Sequence, residues 1–381
     1  MKISVVTATR AEYGILKPLI IKLNSDKDIE LQLIVTGSHL SKKYGNTQQE
    51  IIDDGLPIYK KIDILEEGNT VLDVSKTMAN AIEKFAKYFF KEKPECVVLL
   101  GDRTELMGIS CAALNVGIPI AHLHGGEITE GAIDDCIRHA ITKMSYFHFV
   151  STDVYRKRII QMGEEPDRVY NVGALGVENI LNTNLLNEEE LKEELNISKE
   201  MEYVVVTFHP VTTEQGCEME QVSELISAMR ERNQYFYIVT KANSDVGGEL
   251  VNEMFEKFAK ESSNVKLVAS LGMKRYLSAV KYSKLVLGNS SSGIIEAPSL
   301  GTPTVNIGNR QKGRLMADSV VNCYPKKDSI INAIDMANNM EHIPSYIYGD
   351  GNTTEKIVDI LKSKLDRGSI DTKKKFYDIE F

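Results

Sequence analysis

Ionisable and hydroxyl residues collect at a few places in this chain, each just after a short apolar run. The run VVLLGDRTE sets Asp102 and Arg103 directly behind a fully apolar strand. The segment IAHLHGGEITEGAIDDCIRH gathers His122, His124, Glu127, Glu130, Asp134, Asp135, Arg138 and His139 around Gly125 and Gly126. Paired glycines let a ligand approach the backbone closely. Carboxylates and imidazoles at this density suit proton transfer, with one group withdrawing a proton and another returning one. Asp134 or Asp135 could instead cap the helix that follows. Metal is the weaker reading, because the H-x-H pair lies on a strand with no H-x-x-x-H or cysteine pair to complete a ligand set.

The second half repeats the arrangement. VVVTFHPVTTE ends a strand on His209 and hydroxyl residues, and LVLGNSSSGIIEAPSLGTPTVNIGNRQKGR leads a strand into Gly288, Asn289, Ser290, Ser291, Ser292 and Gly293 before a helix expected from about Ile294. Serine hydroxyls and the N–H groups of a helix start can hold a diphosphate. Glu296 would sit badly beside phosphate but can accept the two hydroxyls of a ribose, while Arg310, Lys312 and Arg314 add positive charge. Near the start, T-A-T-R-A-E-Y-G offers Arg10 and a polar turn to an anion. Neither a G-x-G-x-x-G nor a G-x-x-x-x-G-K-[ST] occurs, which removes support for a dinucleotide redox cofactor and for a Walker-type ATPase.

These residues need elements that bring them to one end of a sheet. Ile3 to Thr7, Leu31 to Thr36, Val97 to Leu100, Ile118 to Leu123 and Phe147 to Val150 read as strands, separated by helical periodicity over Ile15 to Leu23, Val71 to Phe90, Leu106 to Asn115 and Asp135 to Met144. Apolar strands linked by helices imply parallel sheets covered on both faces. After Val169 to Val172 and a helix-bearing segment, NTNLLNEEELKEELNISKE, the pattern restarts with Tyr203 to Phe208, Phe236 to Thr240, Val265 to Val268, Leu285 to Leu287 and Thr304 to Ile307. The expectation is α/β: two Rossmann-like, doubly wound parallel-sheet domains, 1–185 and 186–365, and a tail, 366–381, whose aromatic residues suggest docking against a domain. In such sheets ligands sit beyond the carboxyl ends of the strands, where the polar clusters fall.

Bulk properties narrow the class. The 381 residues exceed the size at which one core usually stops growing. A formal charge of -9 would repel a nucleic-acid backbone. No stretch approaches the ~18 apolar residues of a membrane span, and the first residues meet Arg10 and Glu12 too soon for a signal peptide. The five scattered cysteines, with no C-x-x-C, read as reduced thiols of a cytoplasmic protein.

With its motifs in order, the chain resembles the UDP-N-acetylglucosamine 2-epimerase family, in the hydrolysing branch that feeds bacterial sialic-acid synthesis. The resemblance runs from Thr7 to beyond Asp350 and rests on T-A-T-R-A-E-Y-G, T-G-S-H-L with Y-G-N-T, L-G-D-R, H-L-H-G-G-E, I-D-D-x-I-R-H-A-I-T-K, F-H-P-V-T-T-E, G-N-S-S-S-G-I-I-E, G-N-R-Q-K-G-R and Y-G-D-G-N.

What the resemblance implies is a glycosyltransferase-B-like pair of domains closing over a UDP-sugar, with no metal or redox cofactor, in a homodimer or homotetramer. Arg10, Ser290, Ser291, Glu296 and Arg310 carry over as nucleotide-site residues, and Tyr276 as the aromatic against uracil. Asp102, Asp134, Arg138 and His209 carry over to the sugar end, and Arg103, Gly126 and Asn243 complete the expected substrate contacts. Some family members have Glu where this chain has His124, so either His124 acts there as an imidazole or Glu127 substitutes. The implied reaction converts UDP-N-acetylglucosamine and water to N-acetylmannosamine and UDP, by elimination to a glycal and hydration with inversion at C2. The alternatives are the related hydrolysis of UDP-2,4-diacetamido-trideoxyglucose toward legionaminic acid, and a UDP-dependent glycosyltransferase of the same fold.

Overall fold

Strands that are aliphatic on both faces cannot border water, and here they line the interiors of two parallel sheets. The computed structural model describes residues 1–380 except 67, 69, 130–132, 211–216, 243–247 and 366–369. The first sheet contains β1 (Lys2–Thr7), β2 (Glu30–Thr36), β3 (Lys60–Ile62), β4 (Cys96–Leu100), β5 (Ile120–Leu123), β6 (Phe147–Val150) and β7 (Val169–Asn171). Its spatial order is β3-β2-β1-β4-β5-β6-β7. The second contains β8 (Tyr203–Thr207), β9 (Phe236–Thr240), β10 (Val265–Val268), β11 (Val286–Gly288), β12 (Thr304–Ile307) and β13 (Val320–Cys323), in the order β10-β9-β8-β11-β12-β13. Both are doubly wound, and in each the order reverses beside the first strand, at β1/β4 and at β8/β11.

Successive strand residues feed opposite layers. Val98 and Leu100 of β4 join a core with Tyr13, Leu16 and Leu19 of helix Arg10–Ser25, while Val97 and Leu99 meet Phe85 and Phe89 of helix Val71–Glu92 and Ile109 of helix Thr104–Val116. In the second sheet Val204 and Val206 face Val222, Phe255 and Ile330, and Val205 and Val286 face Leu191, Ala279 and Ala297.

The chain divides into two compact units, one of residues 1–179 with 349–381 and one of residues 180–348. The expected division near 185 assigned everything up to 365 to the second domain. Instead, helix Thr353–Leu365 lies in the first unit, where Ile357, Val358, Leu361 and Leu365 join the core made by Ile3, Leu16 and Leu19. Each such side chain taken from water stabilises by about 1.5–3 kcal/mol, so four on one stripe decide where the helix docks. The last residues also lie on this unit, with the Tyr377 N–H donating to the Gly163 carbonyl at 3.0 Å.

Strands β3 and β13 at the sheet edges were not anticipated. Lys60 and Lys61 and the half-exposed residues of β13 lack the apolar run by which the interior strands are recognised. Among the described residues no helix is long and apolar enough to cross a membrane.

Candidate active site

Each polar cluster begins where a central strand ends. After β1, Thr9 caps helix Arg10–Ser25 in a capping box with Glu12, whose Oε2 accepts the Ala8 and Thr9 N–H groups at 2.8 and 2.9 Å. Glu12 is buried and its Oε1 has no partner, and burial pushes its carboxyl up to about 7 against the pull of those N–H groups and of Arg103. Beside it the loop after β2 folds back: Gly37, at φ +57, lies so close to Ala8 that a Cβ would stand 2.9 Å from its carbonyl oxygen. His39 bridges the Thr7 hydroxyl at 3.0 Å and the Thr47 hydroxyl at 2.8 Å, and burial holds its imidazole down at about 4. Arg10 points outward, paired with Glu50 at 2.9 Å.

Behind β4, Asp102 is held by Arg138 from helix Ile133–Met144. The Arg138 Nε donates to Asp102 Oδ2 at 2.8 Å, and Nη2 reaches the same oxygen. Nη1 donates to the Glu127 carbonyl at 2.8 Å and to Asp135 at 3.2 Å, and Nη2 also to Thr129 at 3.1 Å. These five bonds match the number of N–H groups on a guanidinium. Arg138 therefore clamps Asp102 and the loop after β5 from within the protein. Arg103 turns to Glu105 at 2.9 Å, and the carboxylates of Glu105, Glu12 and Asp134 outweigh its burial and raise its guanidinium further. Asp134 is exposed in the first turn of the helix.

At the end of β5, His124 adopts φ +63, a left-handed conformation uncommon outside glycine. Its N–H donates to the Phe149 carbonyl at 3.0 Å, its Nδ1 stands 3.4 Å from Glu127 Oε1, and its Nε2 is buried without a partner. Gly125 and Gly126 are needed for closeness: a Cβ would lie 2.9 Å from the Thr142 hydroxyl at the first and 2.7 Å from the Tyr155 carbonyl at the second. His122 is no acid or base for a ligand. Fully buried, it lies 2.7 Å from the Gly101 carbonyl and 3.2 Å from the Thr142 hydroxyl, and burial holds it at about 3. Among the described residues no three of His, Cys, Asp and Glu are grouped to hold a metal ion.

In the second unit, His209 follows β8 and is held through its own peptide group by Asn289, the first residue beyond β11. The strand ends meet because Gly288, at φ +140, has no side chain: a Cβ would lie 2.0 Å from the Thr207 carbonyl. The Asn289 carbonyl accepts from Arg310 Nη1 at 3.1 Å and from Gln311 at 2.9 Å, which fixes the basic loop after β12 against the serine turn.

The serine turn departs from expectation. Ser291–Gly293 form a single 3-10 turn capped by the Ser290 hydroxyl, and only the one-turn helix Glu296–Ser299, containing Pro298, follows. The Ser290 and Ser291 N–H groups lie outside this turn's internal bonds, whereas a full helix start would have aligned more. The Tyr276 hydroxyl donates to the Ser292 hydroxyl at 2.7 Å. Glu296 opens the one-turn helix, with its Oε2 buried and unpartnered and its carboxyl pushed up by burial. Asn243 lies outside the described residues, as do Glu130 and the end of the F-H-P-V-T-T-E motif.

The structure thus gathers Asp102, His124, Glu127 and Arg138 in the first unit, and His209, Ser290, Ser291, Tyr276, Glu296 and Arg310 in the second. It adds His39, and it gives Glu12 and Asn289 parts in the site that their place in the motifs did not assign. Their signal was a polar residue beside a glycine or a cap at the end of a buried strand.

The sequence model described as UDP-N-acetylglucosamine 2-epimerase matches residues 21–362. The chain is 42% identical over 88% of its length, and 86% of the relative's, to a protein of Campylobacter jejuni named GDP/UDP-N,N'-diacetylbacillosamine 2-epimerase (hydrolyzing). It is 38% identical, over 99% of its length and 97% of the relative's, to the polysialic acid biosynthesis protein P7 of Escherichia coli. The fold is shared with the crystal structure of the UDP-GlcNAc 2-epimerase of Neisseria meningitidis bound to UDP-GlcNAc, at a TM-score of 0.75 and 18% identity over 95% of this chain and all of that one. This chain belongs to the UDP-N-acetylglucosamine 2-epimerase family, in its hydrolysing branch.

Proposed function

We propose that the protein is a hydrolysing 2-epimerase of a UDP-2-acetamido sugar, with a second acetamido group at C4 of the sugar as the first reading. The 42% identity with the Campylobacter jejuni enzyme, named for diacetylbacillosamine and for hydrolysis, carries this proposal. N-acetylglucosamine is the second reading, carried by the 38% relative named for polysialic acid synthesis.

The chemistry asks for loss of UDP from C1 and of a proton from C2, followed by addition of water. No carbonyl acidifies the C2 hydrogen, so departure of UDP leads and positive character grows at C1. Carboxylates near C1 stabilise that charge, and Asp102, held in orientation by Arg138, suits this role. Two different groups are needed to take a proton from one face of C2 and return one to the other. His124 with Glu127, Asp134 and His209 are the available acids and bases. The Ser290 and Ser291 donors with Arg310 suit a diphosphate, and the unpartnered Glu296 oxygen suits a ribose hydroxyl.

The test is turnover in D₂O with each UDP-sugar in parallel, followed by NMR. The expected products are free UDP and the C2-inverted sugar, carrying deuterium at C2 and formed as the α-anomer. A higher kcat/KM for the diacetamido substrate supports the first reading, and a higher value for UDP-N-acetylglucosamine replaces it with the second. Recovery of the sugar with its original C2 hydrogen and configuration would rule out both.

A further inference from the structure

We propose that the C-terminal segment 371–380 braces helix Ile133–Met144, and that Lys374 is a positioning residue for the Asp102–Arg138 pair. The catalytic half of the proposal rests on Asp102 acting in the reaction above; the mechanical half does not.

The Lys374 ammonium lies against the end of that helix. It is 2.7 Å from the Lys143 carbonyl oxygen and 2.8 Å from that of Ser145, and 2.8 and 2.9 Å from the two oxygens of Glu164. The last carbonyls of a helix have no partner within it, and a cation there is favoured by the helix dipole as well as by the hydrogen bonds. Glu164 is nearly inaccessible and also accepts from Lys143 at 2.6 Å, with His148 Nε2 3.1 Å away. Burial works against its charge, but His148, Lys143 and Lys374 outweigh that and hold the carboxyl at about 2. The segment is pinned just beyond this contact. The Phe376 ring fills the place a side chain would take at Gly163, where a Cβ would meet it at 2.3 Å, and the Lys143 ammonium lies 5.3 Å from the ring centre.

The braced helix is the one that carries Arg138. In the last turn of the helix, the Thr142 hydroxyl is 2.9 Å from the Arg138 carbonyl oxygen and 3.2 Å from His122 Nδ1, and His122 Nε2 reaches the carbonyl of Gly101, beside Asp102. Asp102 is therefore tied to this helix twice, through the Arg138 guanidinium and through Thr142 and His122. His148 stands beside His122 in the parallel register, so the layer that receives Lys374 borders the layer that orients Asp102. Without Lys374, two carbonyls at the helix end lose their cation, and Glu164 is left, among the described residues, with the half-exposed Lys143 and a buried imidazole that burial holds toward neutrality.

The test compares the full-length protein with Lys374→Met, Lys374→Arg and Lys374→Met/Glu164→Gln, by amide hydrogen exchange over 133–145, by UDP affinity and by steady-state kinetics. In Lys374→Met, exchange in the last two turns of the helix should accelerate by about tenfold or more. Turnover should fall about tenfold with UDP affinity within twofold of the parent. Lys374→Arg should recover part of both, whereas the double variant should recover thermal stability but not turnover, since the helix end stays uncapped. If Lys374→Met does not fold, Phe376→Ala, which loosens the segment and leaves every charge in place, serves the same comparison. Parent-like exchange in the variants would overturn the brace, and accelerated exchange with parent-like turnover would overturn the positioning role. A parent protein inactive on UDP-sugars would sink the reading of Asp102 while leaving the exchange result to decide the brace.

Discussion

Asn289 grips both sides of the His209 peptide unit: its Oδ1 accepts the His209 N–H at 2.7 Å and its Nδ2 donates to the His209 carbonyl at 2.8 Å. Asn289 is fully buried, so neither bond competes with water, and the pair spans the reversal in strand order between β8 and β11. Replacing it by Ala removes the side-chain partner of two buried backbone groups, a loss of about 1–3 kcal/mol for each group left unsatisfied. Asn289→Ala is expected to lower the thermal midpoint and to reduce kcat more than UDP affinity. A variant with parent stability and turnover would show that the clamp does not position His209.

The serine turn and Arg310 are expected to hold the diphosphate. Ser291→Ala and Arg310→Ala should each weaken UDP binding by about 1.5–3 kcal/mol, the range for a charge-assisted hydrogen bond. Calorimetry with UDP alone isolates this from catalysis, and unchanged affinity in both variants would move the diphosphate elsewhere.

Asp102→Asn and His209→Ala address the chemical step. Each should reduce turnover by ~10²–10⁴-fold while the protein stays folded and UDP affinity holds. Because Asp102 is also the Arg138 partner, its variant needs a melting curve beside the kinetics. Near-parent turnover in a folded variant would remove that residue from the mechanism.

Glu12 makes stability depend on pH in a direction opposite to most carboxylates. Burial raises it from 4.5 to about 7 in the folded protein, so its contribution is fully present below about pH 4.5 and is lost as pH rises through about 7. A glutamine can still accept the Ala8 and Thr9 N–H groups through its single oxygen. Glu12→Gln is therefore expected to be more stable than the parent at pH 8, with the advantage shrinking toward pH 5. Denaturant midpoints measured at both values check this, and a pH-independent difference would show that Glu12 does not titrate in that range.

Much of the fold is legible in the chain because interior parallel strands are runs of Val, Ile and Leu between helices, a pattern that water enforces residue by residue. Phe147–Val150, Phe236–Thr240, Val265–Val268 and Thr304–Ile307 have the bounds read from sequence. Candidate site residues were legible for the same reason: a polar residue directly after a buried strand lies at its carboxyl end, as Asp102, His124, His209 and Ser290 do. The edge strands β3 and β13 were not, since an edge does not require a continuous apolar run.

The sequence alone determined the two doubly wound sheets, the strand-end positions of the polar clusters and, through its ordered motifs, the family. Tertiary structure decided which polar residues face each other, because partners such as Asp102 and Arg138, 36 positions apart, meet only when the helix after β5 packs back on the sheet. It also decided that Asn289 clamps His209, that the serine turn opens only a one-turn helix, and that helix Thr353–Leu365 and Lys374 belong to the first unit. Those outcomes depend on which apolar stripe finds a matching surface and on which buried charge finds a counter-charge. Both are properties of the packed molecule, and no local stretch of sequence contains them.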